Sequence, residues 1–101
     1  MKSPVKRSSK EVVEKRTARL RAILLSARHE RSLEALLSDL LTPYELTSLA
    51  ERVAILERLA RGATLREVAR SVGVSLSKVE RGSHVIQYGK ADWNKIAATG
   101  R

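Results

Sequence analysis

The sequence predicts an all-α fold from three observations. Apolar residues recur at the spacing of one helix face along most of the 101 residues. Serine or threonine followed three positions later by glutamate, and glycines further on, mark where separate helices begin and end. The chain has no Phe, one Trp and two Tyr, so its core must come from Leu, Val, Ile and Ala, which suits helix packing better than a sheet.

Two helices are predicted behind a basic N-terminal arm. Residues 1–8 are basic with little apolar content, so we expect a disordered arm there. Ser8 with Glu11 matches a capping box, and the apolar spacing that follows predicts a first helix from about residue 9 to 28. A shorter helix is predicted in SLEALLSDLL, whose leucines form a wide apolar stripe.

The third helix has the strongest start signal. Thr42 is the expected N-cap, Pro43 stands at the first helical position where its missing N–H is harmless, and Glu45 is the reciprocal glutamate. An apolar face follows, and Gly62 is the expected C-cap residue. The apolar residues of this face are Leu46, Leu49, Val53, Leu56 and Leu59.

Residues 64–86 match a helix-turn-helix. A capping box at Thr64 opens a short helix, and Ser75 caps a longer one that runs to about residue 86. Ala69, Gly73 and Val79 then provide a small residue where the helices cross, a glycine for the turn and a β-branched residue for the core. Val68, Val72, Val74 and Leu76 are the expected flanking apolar contacts. An ordinary helical corner is the alternative, and residues 90–98 have weaker helical character.

The helix-turn-helix interpretation identifies candidate DNA-binding residues. In such motifs the second helix enters the major groove with its N-terminal residues, here Ser75, Leu76, Ser77 and Lys78. Lys78 is expected to bind a phosphate. Arg66 begins the preceding helix and is long enough to reach a guanine edge or a phosphate.

The charge distribution favours a polyanionic partner. The formal net charge is +9. Residues 1–32 carry ten basic and three acidic groups, residues 33–57 one and five, and residues 58–101 nine and three. Two basic ends around an acidic middle are typical of proteins that bind nucleic acid or an anionic membrane, although a solvated basic surface is the simpler alternative.

The stretch LTPYELTSLAERVAILERLARG, followed by LREVARSVGVSLSKVERGS, resembles the tryptophan repressor family of bacterial transcription regulators. The likeness covers about residues 33–86, and its specific features are Leu-Thr-Pro before a long helix, Arg52 within that helix, and the Arg-Gly-Ser at residues 81–83. The resemblance implies an all-α, six-helix subunit that forms an intertwined homodimer. It divides one helical domain, residues 9–101, into a core and dimerisation part at 9–62, the helix-turn-helix at 64–86 and a C-terminal segment at 87–101.

The resemblance also implies L-tryptophan as corepressor. The family's ligand-binding arginines match Arg52 and Arg81, which would sandwich the indole and pair with the carboxylate. Thr42 would lie near the ligand's polar end, and Gly82 would give the indole close access. A family serine near the ligand's amino group is matched by Val85. Asp39 falls close to the same end, and plain surface or phosphate-binding arginines are the alternative at residues 52 and 81.

These expectations combine into a homodimeric repressor that binds a palindromic operator of tryptophan-related genes with L-tryptophan as corepressor. A ligand-independent DNA-binding regulator of the same fold, and a basic amphipathic protein that binds membranes, are the alternatives. We expect no enzyme, metal site or cofactor, because there is no cysteine, the two histidines are far apart and no carboxylates have metal-ligand spacing. With no signal peptide or membrane span expected, we predict a bacterial cytoplasmic location.

Overall fold

The computed structural model describes residues 9–99, and all regular secondary structure within them is helical. The prediction of an all-α, six-helix chain is confirmed for this part of the protein. The predicted disordered arm, residues 1–8, lies outside the described residues. The helices are α1 Ser9–Leu25, α2 Glu30–Leu40, α3 Pro43–Ala60, α4 Leu65–Val72, α5 Leu76–Tyr88 and α6 Trp93–Ala98.

The helices belong to two compact units that divide between Thr42 and Pro43. The first unit contains α1 and α2, and the second contains α3 to α6. The predicted division into a dimerisation part, a helix-turn-helix and a C-terminal segment stays a prediction.

In the first unit, α1 ends three residues earlier than the apolar spacing predicted. The N–H of Ser26 is shared between the carbonyl oxygens of Ala22 and Ile23, at 3.1 Å each. The Ser26 hydroxyl also donates to the carbonyl oxygen of Ile23, at 2.6 Å. Shared bonds of this kind tighten the last turn of a helix. The apolar side chain of Ala27 continues the spacing, but the backbone has already left the helix.

The second helix, α2, begins at Glu30, two residues before the predicted stretch. Ser32 makes this early start favourable, because its hydroxyl oxygen accepts a hydrogen bond from the N–H of His29 at 3.3 Å. A serine at the third helical position thus fulfils the part that glutamate usually has in a capping box. Neither α1 nor α2 contains a buried residue.

The core of the second unit lies where α4 and α5 cross α3. Val68 of α4 and Val79 of α5 are both 0% exposed, and Ile55 of α3 is 3% exposed. Their shared core confirms the apolar pattern predicted for the helix-turn-helix, except that Leu76 is 42% exposed. The half-buried residues that pack against this core are Leu59, Ala63, Leu65, Ala69, Val72 and Val74.

Local hydrogen bonds fix both ends of α4 and the start of α5 as predicted, whereas α5 runs to Tyr88, two residues beyond the predicted end. The carboxylate of Glu67 accepts from the N–H of Thr64 at 2.8 Å, and the Thr64 hydroxyl oxygen accepts from the N–H of Glu67 at 3.2 Å. Gly73 ends α4 with φ at 79°, in the left-handed region that favours glycine. The hydroxyl oxygen of Ser75 then caps α5 by accepting from the N–H of Lys78 at 3.3 Å.

The C-terminal helix α6 is held on α3. The guanidinium Nη2 of Arg61, just beyond the end of α3, donates to the carbonyl oxygen of Ala97 at 2.8 Å. Ala97 itself is 4% exposed. The weak helical signal of residues 90–98 therefore corresponds to a helix whose position depends on packing more than on its own sequence.

Candidate functional site

A cavity of about 440 Å³ lies between α3 and α5. Cavities of about 300–1,000 Å³ are the usual size of small-molecule sites. The lining side chains recur three or four residues apart on each helix, so a single face of each helix forms the walls. They are Tyr44, Ser48, Glu51, Arg52, Ile55 and Leu56 from α3, and Lys78, Arg81, Gly82 and Val85 from α5.

The cavity combines an apolar floor with a mostly basic wall. Ile55 and Leu56 are buried and give the floor its apolar surface. Arg52 and Arg81 lie on opposite helices and are exposed, so both guanidinium groups can reach a bound molecule. Planar guanidinium groups pair with carboxylates and stack on aromatic rings. The arrangement suits a molecule with a flat apolar body and a carboxylate.

One carboxylate interrupts the basic wall. Glu51, one position before Arg52, accepts a hydrogen bond on its Oε1 from the Nζ of Lys78 at 3.3 Å. This ion pair joins α3 to the first turn of α5.

At Gly82, α5 approaches α3 closely. A Cβ atom at residue 82 would lie 2.7 Å from Cγ2 of Ile55, 3.4 Å from Cδ1 of Leu59 and 3.7 Å from Cδ2 of Leu56. The first distance is far inside van der Waals contact. The family resemblance implies that this glycine gives a ligand access, whereas the structure gives it a packing role, because any side chain would press on α3.

The structure brings three of the four predicted ligand residues to one cavity. Arg52, Arg81 and Gly82 all line it, and so does Val85. Thr42 belongs to the first unit and is not among the lining residues.

Asp39 and His84 are not among the residues that line the cavity. Asp39 is on α2, in the first unit. His84 is exposed on α5, and its ring centroid lies 4.8 Å from that of Tyr88. Val85 lines the cavity, whereas its neighbour His84 does not.

Sequence reasoning missed four of the six polar lining residues. Tyr44, Ser48 and Glu51 were not identified, and Lys78 was assigned only to DNA. The helical period offered a signal for two of them, since Ser48 stands four residues before Arg52 and Tyr44 another four before that. No sequence pattern indicated that Glu51 would meet a lysine 27 residues away.

All five predicted DNA-binding residues are exposed. Arg66 lies in the first turn of α4, Ser75 caps α5, and Leu76, Ser77 and Lys78 form its first turn. The Ser75 hydroxyl oxygen is engaged as the helix cap. These residues therefore present the beginning of α5 to solvent, as a DNA-reading helix requires.

Lys78 belongs to both parts of the site. Its backbone lies in the exposed first turn of α5, while its ammonium group reaches the cavity and Glu51. A ligand in the cavity and a DNA phosphate would thus act on the same side chain.

Within residues 9–99, no cluster of His, Asp and Glu side chains could hold a metal ion. None of the helices in this range combines the length and the apolar character needed to cross a bilayer.

Comparison with known protein families gives one match. The family described as Trp repressor protein matches residues 15–99 of the chain, from within α1 to the residue after α6. Among curated proteins, none matches the chain. The family match extends well beyond residues 33–86, where the sequence motifs lie, and confirms the resemblance inferred from them.

Proposed function

Since the chain belongs to the Trp repressor protein family, we propose that it is a homodimeric transcriptional repressor that binds a palindromic operator with L-tryptophan as its corepressor. Family membership supports regulation of transcription through DNA binding rather than catalysis. The observation that carries the finer proposal is the cavity between α3 and α5, where two arginines face a buried apolar floor beside the DNA-reading helix.

The cavity supports an aromatic amino acid as ligand. Arg52 and Arg81 supply the charged donors that a carboxylate needs when it leaves water. Ile55 and Leu56 supply apolar surface for an indole, on which a guanidinium plane can also stack. A volume of about 440 Å³ is ample for one such molecule.

The helix-turn-helix supports DNA binding. The first turn of α5 is exposed and begins with a capped, well-defined helix end. Lys78 provides positive charge in that turn and Arg66 provides it in the first turn of α4. Phosphate contacts by such residues position a reading helix in the major groove. The ligand cavity is lined by this helix and by α3, so a bound ligand would fix the angle between the two helices.

We propose that a second copy of the chain buries the apolar surface that each unit leaves exposed. Leu25 at the end of α1 is 84% exposed and Leu40 at the end of α2 is 52% exposed. In the second unit, Leu46, Leu49 and Val53 form an exposed row along α3. Contiguous exposed apolar surface marks interfaces, and a two-fold dimer presents two reading helices to the two halves of a palindrome.

The regulated genes follow from the ligand. A repressor that needs L-tryptophan acts when tryptophan is abundant, which suits genes of tryptophan synthesis or uptake in the bacterial cytoplasm. Val85 favours one alternative, a ligand-independent DNA-binding regulator of the same fold. An apolar side chain stands there in the cavity wall where the family resemblance implies a serine near the ligand's amino group.

The test is selection of duplexes from a random pool by the full chain in 1 mM L-tryptophan, a concentration of the order of weak small-molecule affinities. Gel shifts of the selected duplex with and without L-tryptophan then follow. The proposal predicts a palindromic site and tighter binding with the ligand. Equal affinity in both conditions would support the ligand-independent regulator, because a ligand with no preference between two states shifts neither. If the selected duplexes contained no palindrome, the proposal of a palindromic operator would be contradicted.

A further inference from the structure

The ion pair between Glu51 and Lys78 stands at the border of the ligand cavity and the DNA-reading turn. The Lys78 ammonium lies 3.3 Å from the Glu51 carboxylate. The lysine side chain is 57% exposed and the glutamate side chain 32% exposed. Solvent therefore reaches the pair, and its partners can be exchanged without a buried charge being left behind.

Lys78 has two competing anionic partners. When Glu51 accepts its hydrogen bond, the local charge of the first turn of α5 is partly neutralised. A DNA phosphate requires the same ammonium group, and a lysine acts on it as a compact positive charge. Glu51 thus lowers the affinity of this turn for DNA as long as the pair persists.

Glu51 also has two competing cationic partners. Within residues 9–99 it is the one acidic side chain that lines the cavity, beside Arg52, Lys78 and Arg81. A ligand with both a carboxylate and an ammonium group matches this wall, since the arginines suit the carboxylate and Glu51 suits the ammonium. Two ammonium groups at one carboxylate repel each other, so a ligand that binds Glu51 disfavours Lys78 there.

We infer that Glu51, in place of the family serine that Val85 replaces in this chain, binds the ammonium group of an α-amino acid ligand and that the ligand thereby releases Lys78 to DNA. Glu51 is then the residue that selects a zwitterion over a simple carboxylate. It also transmits occupancy of the cavity to the reading helix by exchange of one ion pair, in addition to any change in helix angle. The inference rests on the proposed function, because it needs both a cavity ligand and DNA binding.

The test uses Glu51→Gln in the full chain, with L-tryptophan and a mixed-sequence DNA duplex as probes. The variant keeps the side-chain shape and removes the charge. Calorimetric titration should show L-tryptophan bound about tenfold more weakly, the lower range for loss of a hydrogen bond to a charged group. Fluorescence anisotropy without ligand should show the duplex bound about 1.5- to fivefold more tightly, the range that exposed ion pairs contribute. A folding defect would weaken both affinities, so opposite directions exclude it.

Glu80→Gln is the matched control. Glu80 is exposed on α5, two residues from Lys78, and does not line the cavity. Its neutralisation should leave the L-tryptophan affinity unchanged. In a Lys78→Gln background the effect of Glu51→Gln on duplex binding should disappear, whereas any effect of Glu80→Gln should persist.

The outcomes separate the inference from the function beneath it. Suppose that the wild-type protein binds both probes. If Glu51→Gln then leaves both affinities unchanged, or lowers both, the inference is overturned and the proposed repressor function stands. Wild-type protein that fails to bind L-tryptophan or the duplex would overturn the corresponding part of the proposed function and the inference with it.

Discussion

Gly82→Ala is expected to destabilise the protein, although alanine is the better helix former. The added Cβ would lie 2.7 Å from Cγ2 of Ile55. Cγ2 is bonded directly to the Cβ of Ile55, a β-branched residue with little freedom at χ1, and the side chain is 3% exposed. The methyl group cannot swing aside, so α5 must move away from α3.

Two opposing effects set the magnitude. Replacing glycine by alanine inside a helix stabilises by about 1 kcal/mol through backbone entropy. Forcing an extra methyl group into a filled core costs about 1–3 kcal/mol. The further approaches to Leu59 at 3.4 Å and Leu56 at 3.7 Å are milder and add little. We expect a net loss of about 1 kcal/mol, or about 4–8 °C in Tm for a domain of this size.

The assay is thermal unfolding followed by circular dichroism at one fixed protein concentration, because the proposed dimerisation would make Tm depend on concentration. Ser77→Ala is the matched control. It also favours the helix, in the exposed first turn of α5, and its Tm should stay close to that of the wild type. A Gly82→Ala variant with a Tm above that of the wild type would refute the close approach of α5 to α3.

Four further predictions test other parts of the structure. Val79→Ala should lower the free energy of unfolding by about 2 kcal/mol in urea titrations, because the side chain is fully buried and its loss leaves a cavity. Arg61→Ala removes a donor to α6 and should speed amide hydrogen exchange there. Hydrogen bonds from the backbone N–H of Thr64, and secondly from its hydroxyl, lower the pKa of Glu67. The Tm advantage of wild type over Glu67→Ala should therefore be full above the ordinary value of 4.5 and fade as the pH falls through the lowered pKa. Lys78→Ala should weaken binding to every duplex and reduce the salt slope by about 1.

Each of these four has an outcome that contradicts it. A loss below about 0.5 kcal/mol for Val79→Ala would place this side chain at the surface. Unchanged amide exchange in α6 would mean that the hydrogen bond from Arg61 does not stabilise this helix. A Tm difference for Glu67→Ala that persists in acid would mean that the cap does not depend on the charge of Glu67. A Lys78→Ala defect confined to one duplex would mean that Lys78 reads a base rather than a phosphate, with Lys95→Ala on α6 as the control that should leave duplex binding unchanged.

Features that depend on neighbouring residues could be predicted from the sequence. The start of α4 rests on Thr64 and Glu67, three residues apart, and its end rests on Gly73, whose left-handed backbone few other residues adopt. Val68 and Val79 could be assigned to the core because the helix-turn-helix spacing specifies which faces meet. For the ends of α4 the determining interaction lies within a few residues of the feature it explains, and for Val68 and Val79 the spacing of the whole motif specifies the contact.

Two kinds of feature could not be predicted. One is a helix end that no residue marks, and the other is a contact that depends on the distance between helices. The early end of α1 at Leu25 has no glycine or proline to mark it, since it rests on how the last turn tightens. The packing role of Gly82 requires the separation of α3 and α5, and the meeting of Glu51 with Lys78 requires their crossing angle as well. A helical period shows which residues share a face, but not how closely two faces approach.

Calorimetric titration of L-tryptophan into the full chain is the most direct test of the proposed ligand-responsive repressor, since Trp93 would obscure a fluorescence signal. We expect saturable binding at about one ligand per chain, because the second unit of each chain holds this cavity, and loss of that binding in Arg81→Ala. Absence of heat from folded wild-type protein, or undiminished affinity in Arg81→Ala, would contradict the cavity between α3 and α5 as the corepressor site.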